Sequence, residues 1–218
     1  NISDQVGAGF ITNTTLITNF TIQNGSDDTG GGIYCTYASP SLENLSIIGN
    51  VATGEGGGGI YCKWQSSPIL TNVTISGNTA YQEGGGIYVT TSSASLVNCI
   101  LWNNLPQEIH LGSEGSVNAT WSDIQGGWTG TGNIDADPLF CEPGIGDYTL
   151  NENSPCVGTG VYWANMGAFD VGCYGNITWT NTFGGVYEDK GNSVQQTSDG
   201  GYILTGYTKS YGNTYGEV

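Results

Sequence analysis

The sequence predicts an all-β solenoid, on three observations. First, Gly30-Gly31-Gly32-Ile33-Tyr34-Cys35 returns as Gly57-Gly58-Gly59-Ile60-Tyr61-Cys62 and again as Gly84-Gly85-Gly86-Ile87-Tyr88-Val89, 27 residues apart each time. Second, an asparagine followed by alternating apolar and polar residues recurs at Asn19-Phe20-Thr21-Ile22, Asn44-Leu45-Ser46-Ile47, Asn72-Val73-Thr74-Ile75 and Asn98-Cys99-Ile100-Leu101, with spacings of 25, 28 and 26 residues. Third, these runs alternate with period two between Gly, Asn, Ser and Thr, and none carries a capped helical stripe. A matched repeat of this length that holds short strands is one coil of a stack.

Taken in chain order, each coil supplies one member of several columns. At the strand separation of about 4.8 Å, residues one period apart lie on top of each other. Phe20, Leu45, Val73 and Cys99 then form one inward column, and Ile33, Ile60 and Ile87 another. Asn50, Asn78 and Asn104 form a ladder in a tight bend, where an amide side chain bonds neighbouring backbone and tolerates left-handed φ. The glycine triplets occupy a bend with no room for side chains.

Composition narrows the partners. The 218 residues include 37 glycines, 19 Asp+Glu and only Lys63, Lys190 and Lys209 as basic residues, for a net charge of −16. That balance excludes a nucleic-acid binder that neutralises phosphates and a protein drawn to anionic lipid. No apolar run is long enough for a membrane span.

The run Trp121-Ser122-Asp123-Ile124-Gln125-Gly126-Gly127-Trp128, with Gly132-Asn133-Ile134-Asp135-Ala136-Asp137-Pro138-Leu139-Phe140 and Gly146-Asp147-Tyr148-Thr149-Leu150, resembles the C-terminal closing module of secreted β-helix proteins. With the repeats, it makes the chain similar to right-handed parallel β-helix proteins of the pectin-lyase-like class. The resemblance implies β-helix coils over 1–139 and a closing module over 140–175. Residues 176–218, through Trp179-Thr180-Asn181-Thr182-Phe183-Gly184-Gly185 and Asp199-Gly200-Gly201-Tyr202-Ile203-Leu204, resemble part of a β-propeller-like repeat of prokaryotic surface proteins. They are read as a β-strand extension, with Asp199-Gly200-Gly201 as its hairpin turn.

Six cysteines suggest an oxidising exterior. Cys35 and Cys62 are one coil apart, so stacking sets their Cα atoms within disulfide reach and predicts a bridge. Cys99, Cys141, Cys156 and Cys173 allow three pairings, of which Cys141 with Cys156 is favoured; the partners of Cys99 and Cys173 stay open. The spacings do not suit a zinc site. Asn-X-Ser/Thr sequons stand at Asn1, Asn13, Asn19, Asn24, Asn44, Asn72, Asn118 and Asn176. Covalent N-glycans would solubilise a surface short of charge, although Asn19, Asn44 and Asn72 share an outward column in which glycans would crowd. Frequent Asn at bends and Thr on strands is the plainer source of the motif.

The lyases and hydrolases of this class set the catalytic chemistry to look for. A lyase needs a basic residue to take a proton beside a uronate, and only Lys63 in the solenoid offers one. A hydrolase needs paired carboxylates, for which Asp27, Asp28, Glu55 and Glu83 precede successive glycine triplets. Solvated or backbone-capping carboxylates are the simpler reading, and a weak calcium site near Asp28, Glu55 and Glu83 is a further one. Asp135 and Asp137 belong to the closing motif and are expected to hold its turn. His110 lacks a recognisable nucleophile partner. Trp64, Trp102, Trp121 and Trp128 offer stacking surfaces for sugars, with closure of the solenoid as their more ordinary use.

No residue is assigned as catalytic or as a metal ligand. The expectation is a secreted, extracellular, non-catalytic β-helix glycoprotein, structural or adhesive, on a microbial surface. One form it would take is an extracellular fibril, in which C-terminal strands of one copy cover the N-terminal coil of the next in a head-to-tail filament. The alternatives are a polysaccharide lyase or hydrolase domain, or a sugar-binding module, of a larger secreted protein.

Overall fold

The computed structural model describes residues 2–3, 11–174, 189–196 and 202–208. The chain separates into two compact units, Asn1–Gly175 and Asn176–Val218.

The first unit is a parallel β-solenoid. Each coil contributes one strand to each of three faces, and the strands of successive coils pair in parallel and in register. One five-stranded sheet contains Ile33–Thr36, Ile60–Lys63, Ile87–Thr90 and Ile109–Leu111, with Ile2–Ser3 at its edge. A second holds Leu16–Thr18, Ser41–Glu43, Ile69–Thr71, Ser93–Val97 and Ser116–Thr120. The third holds Thr21–Gln23, Ser46–Ile48, Thr74–Ser76, Ile100–Trp102 and Asp123–Ile124. Beside the glycine bend runs a shorter sheet of Ser26–Thr29, Val51–Gly56 and Thr79–Ala80.

Register makes the columns. Ile33, Ile60, Ile87 and Ile109 stack on the first sheet, and Ile17, Leu42, Leu70, Leu96 and Ala119 on the second. Ile22, Ile47, Ile75, Leu101 and Ile124 stack on the third, and together these residues make one continuous core. Leu45, Val73 and Cys99 are fully buried as expected, but Phe20, assigned to the same column, is 51% exposed. It lies on the first described coil, whose strands pair with a described coil on one side.

Every corner needs a left-handed residue, and that need explains much of the sequence. Between the second and third sheets it is Asn19, Asn44, Asn72 and Asn98, with φ of 63°, 51°, 53° and 55°. Asparagine is the non-glycine residue best suited there. At the glycine bend, Gly57 has φ of +72°, and a Cβ on Gly58 would lie 2.6 Å from the carbonyl oxygens of Gly85 and Thr79. The triplet therefore supplies one left-handed residue and a close approach of coil to coil.

The buried asparagine ladder forms as expected, but the left-handed φ falls one residue earlier, on Gly49, Gly77 and Asn103. Asn50 donates its backbone N–H and its Nδ2 to Asn78 Oδ1, both at 2.9 Å. Asn78 donates in the same way to Asn104 Oδ1, at 2.9 and 2.8 Å. Sequence reasoning did not foresee how the ladder ends: Glu108 accepts from the Asn104 backbone N–H at 3.0 Å and from its Nδ2.

The closing residues play two parts. Residues 128–136 cover the C-terminal end of the core, where Trp128 packs against it and donates Nε1 to the Val117 carbonyl at 3.4 Å. From Phe140 onward the chain turns onto the outer face of the third sheet. There the strands Phe140–Glu142, Asp147–Asn151 and Val171–Cys173 form a small sheet. Leu150, Cys156 and Met166 pack with Ile100 into a second core, outside the coil. Ala168 N–H then bonds Thr74 Oγ1 at 2.9 Å, so the segment runs back along the column Ile100, Thr74, Ser46, Thr21. Ser46 and Thr74, outward on their strands, are buried by this cover.

The cysteine expectations are corrected. Cys141 is bridged to Cys173, whereas Cys35, Cys62, Cys99 and Cys156 are free and buried. Cys35 and Cys62 do stack in register. In a parallel register the two Cα–Cβ bonds are also parallel, so the Cβ atoms stay near the ~4.8 Å strand spacing, beyond the ~3.8 Å a disulfide favours. Hydrogen bonding to Cys35 and burial instead push the Cys62 thiol far up. Cys156 is drawn into the second core, where it donates to Asp123 Oδ2 at 3.1 Å, and Cys173 is left to face Cys141.

In the second unit, Asp189–Gln196 and Tyr202–Thr208 pair as an antiparallel hairpin. The expected turn at Asp199-Gly200-Gly201 and the strand segment at Trp179 to Gly185 lie outside the described residues, as do the sequons at Asn1 and Asn176.

Candidate functional site on the tyrosine face

The first sheet carries the densest set of chemically capable side chains. Because Ile and Cys of each Ile-Tyr-Cys repeat point inward, the tyrosine between them points outward. Tyr34, Tyr61, Tyr88 and His110 occupy one register column. Their rings follow one another at centroid separations of 5.4, 4.9 and 4.8 Å, passing from stacked to tilted to edge-on. Such contacts contribute about 0.5–1.5 kcal/mol per pair beyond area burial.

Charged groups flank the ladder. Tyr61 donates its hydroxyl to Glu55 Oε2 at 2.8 Å, and Lys63 Nζ lies 3.5 Å from the same oxygen. The Tyr61 hydrogen bond, then Lys63, hold the Glu55 carboxyl below its usual range. Burial, then Glu55, push the Tyr61 phenol up, so neither group exchanges a proton near neutral pH. Lys63 also sits 4.9 Å from the centroid of Trp64, whose ring tilts against Tyr37 at 5.6 Å.

One coil further on, Gln107 Nε2 donates to Glu83 Oε2 at 2.8 Å and lies 3.0 Å from His110 Nδ1. His110 Nδ1 is itself 3.1 Å from Glu83 Oε2. With its proton on Nε2 the imidazole accepts from Gln107; with a proton on Nδ1 it donates to Glu83.

The other sequence candidates are dispersed. Asp27 caps the Asp28 N–H at 2.7 Å, and Asp28 accepts from Thr53 Oγ1 at 3.1 Å. Asp28, Glu55 and Glu83 thus engage separate partners, and among the described residues no group of three or more His, Cys, Asp and Glu could hold a metal. Asp135 accepts from Gly126 N–H and Asp137 from Leu139 N–H, which fixes turns. Trp102 packs on the second core and Trp128 on the first; Trp64 remains exposed. The sequons at Asn13, Asn19, Asn24, Asn44 and Asn118 are exposed; Asn72 is half-buried and donates to Asn44 Oδ1 at 3.1 Å.

Two buried carboxyls escaped sequence reasoning. Burial raises Glu108 to about 7 against the stabilising bonds from Asn104. Asp123, raised to about 6 chiefly by burial, accepts from Ala136 N–H at 3.1 Å as well as from Cys156. Both hold coil ends rather than line a cleft. A cavity of about 290 Å³ lies elsewhere, between Phe20, Thr21 and Ser46 of the early coils and Ala168 and Phe169 of the closing segment.

A stack of parallel coils, with the next strand always one register step along the axis, defines the class as a parallel β-solenoid. Residues 1–134 match the family model described as the right handed beta helix region, and the chain belongs to that family. No curated protein and no solved structure gives a significant match.

Proposed function

We propose that the chain is a non-catalytic structural or adhesive β-helix of a microbial surface that associates with copies of itself. The observation that carries this reading is the use of the polar groups on the tyrosine face. Glu55, Glu83, His110 and Gln107 bond one another or the ladder, which makes the face a rigid cross-linked rib. In the paired-carboxylate chemistry of glycoside hydrolysis one carboxyl must be kept protonated; Glu55, shifted the opposite way by Tyr61 and Lys63, does not suit that acid role.

Self-association draws its support from two features of the described residues. Phe20 is half exposed on the first fully described coil, and the strands Leu16–Thr18 and Thr21–Gln23 stand at the edges of their sheets. The second unit contains a two-stranded hairpin, a structure of marginal stability by itself. The occupant of the coil edge is the hairpin of a second copy, which makes a head-to-tail contact that propagates. Deletion of residues 176–218 leaves dispersed particles on sedimentation, while the full chain sediments as a polymer; polymer formed equally by the deletion variant contradicts the proposal.

A secreted location and N-glycans on the exposed sequons accompany this reading, supported by the Cys141–Cys173 bridge. An intact mass unchanged by deglycosylation contradicts the glycans.

A carbohydrate-binding reading is favoured by one separate feature, the exposed Tyr37 and Trp64 pair at the corner of the tyrosine face. Its test is saturable glycan binding without release of sugar products.

A further inference from the structure

The closing segment contains a narrow finger unlike anything else in the described chain. Its two limbs are tied by Met166 N–H to the Cys156 carbonyl at 2.9 Å, Gly158 N–H to Asn165 Oδ1 at 2.9 Å and Gly160 N–H to the Ala164 carbonyl at 2.8 Å. At its closed end the finger is fastened to the solenoid by Val161 N–H, which donates to Oδ1 of the buried Asn98 at 2.8 Å. A Cβ on Gly160 would lie 2.7 Å from that same oxygen, so the glycine lets the finger seat on the asparagine.

The tip is Val161-Tyr162-Trp163. Tyr162 and Trp163 both adopt left-handed φ, 55° and 64°, and are 94% and 87% exposed. Two consecutive left-handed aromatic residues are a costly way to build a turn, since glycine would hold it with less strain. The fold gains no burial from either ring. Strain of this kind, kept rigid from below, points to a use outside the fold.

We propose that the finger is a saccharide-binding platform, with neutral glycan chains laid against the rings of Tyr162 and Trp163. The proposal goes beyond the scaffold reading and does not rest on self-association. Rigid aromatic rings give a large amphipathic contact surface at small entropic cost, which suits the apolar faces and polar edges of pyranoses. With a net charge of −16, the chain is repelled by anionic lipid, nucleic acid and acidic polysaccharide, which leaves neutral sugars as the fitting class.

The test compares the full chain with Tyr162→Gly/Trp163→Gly, which suits the left-handed turn and is expected to keep or raise Tm. Both proteins are run in native gels cast with dextran, mannan, galactomannan or mixed-linkage β-glucan. Retardation in at least one gel, weakened tenfold or more in the variant, is the expected result. Absence of retardation in every gel, or equal retardation of both proteins, overturns the proposal. So does co-sedimentation with phosphatidylcholine vesicles, or self-association lost in the variant, without gel retardation: the first assigns the tip to a bilayer and the second to another copy.

Discussion

Glu108 receives both polar groups of Asn104, its backbone N–H and its side-chain amide, and so terminates the amide ladder that runs through Asn78 to Asn50. The carboxylate is the only member that accepts without passing a donor onward. Each amide below it is oriented by the next, and the bonds strengthen one another in a poorly solvated interior.

The ladder predicts a large effect at its middle. Asn78→Ala leaves the Asn50 N–H without an acceptor, its Nδ2 with the Ile22 carbonyl alone, and the Ile47 carbonyl without the Nδ2 donor that reaches it at 2.8 Å. A loss of about 3 kcal/mol or more is expected from the buried unsatisfied groups, read as a lower urea midpoint. A change below about 1 kcal/mol would show that the ladder is incidental.

The ladder's end predicts the direction of pH dependence. Glu108 is raised from 4.5 to about 7 and Asp123 from 3.8 to about 6, so folding takes up protons at both. Their contribution is fully present below the unfolded values and is lost as pH rises through about 6 and then about 7. Chemical denaturation should therefore give greater stability at pH 5 than at pH 8, with Glu108 accounting for on the order of 3 kcal/mol. Glu108→Gln should shrink the difference, leaving the part due to Asp123; an undiminished difference refutes the assignment.

For the cysteines, reduction of Cys141–Cys173 closes a separation of 32 residues no longer, and a loss of about 3–4 kcal/mol is expected. Alkylation of the native chain should spare Cys35, Cys62, Cys99 and Cys156 until the chain unfolds, since all four are buried. A Cys35–Cys62 peptide in a non-reducing digest would contradict the register argument.

Glycines divide by position. Gly57→Ala places a Cβ 2.7 Å from the Ile60 carbonyl at φ of +72°, whereas Gly144→Ala meets nothing within 4 Å. The first should cost more than about 2 kcal/mol and the second less than about 0.5 kcal/mol in thermal denaturation.

What was legible in the sequence was what repeats. The 27-residue return of Gly-Gly-Gly-Ile-Tyr marked the coils and the inward isoleucines, and Asn50, Asn78 and Asn104 announced their ladder. The outward tyrosine column follows from the same alternation, one residue after each isoleucine. Contacts made once were not legible. Glu108 is four residues from Asn104 in a segment without repeat symmetry, and the seating of Val161 on Asn98 joins residues 63 apart. Cys141 meets Cys173 because Cys156 is held by Asp123, a relationship that only the folded closing segment creates. The frequent sequons have a structural source too, since Asn19, Asn24, Asn44 and Asn72 all occupy left-handed corners.

The proposed scaffold role is tested most directly by negative-stain imaging of the purified full chain over a range of concentrations, beside the variant lacking residues 176–218. The head-to-tail account predicts unbranched filaments of uniform axial repeat from the full chain and isolated particles from the variant. Isolated particles from both, or filaments from both, would contradict it.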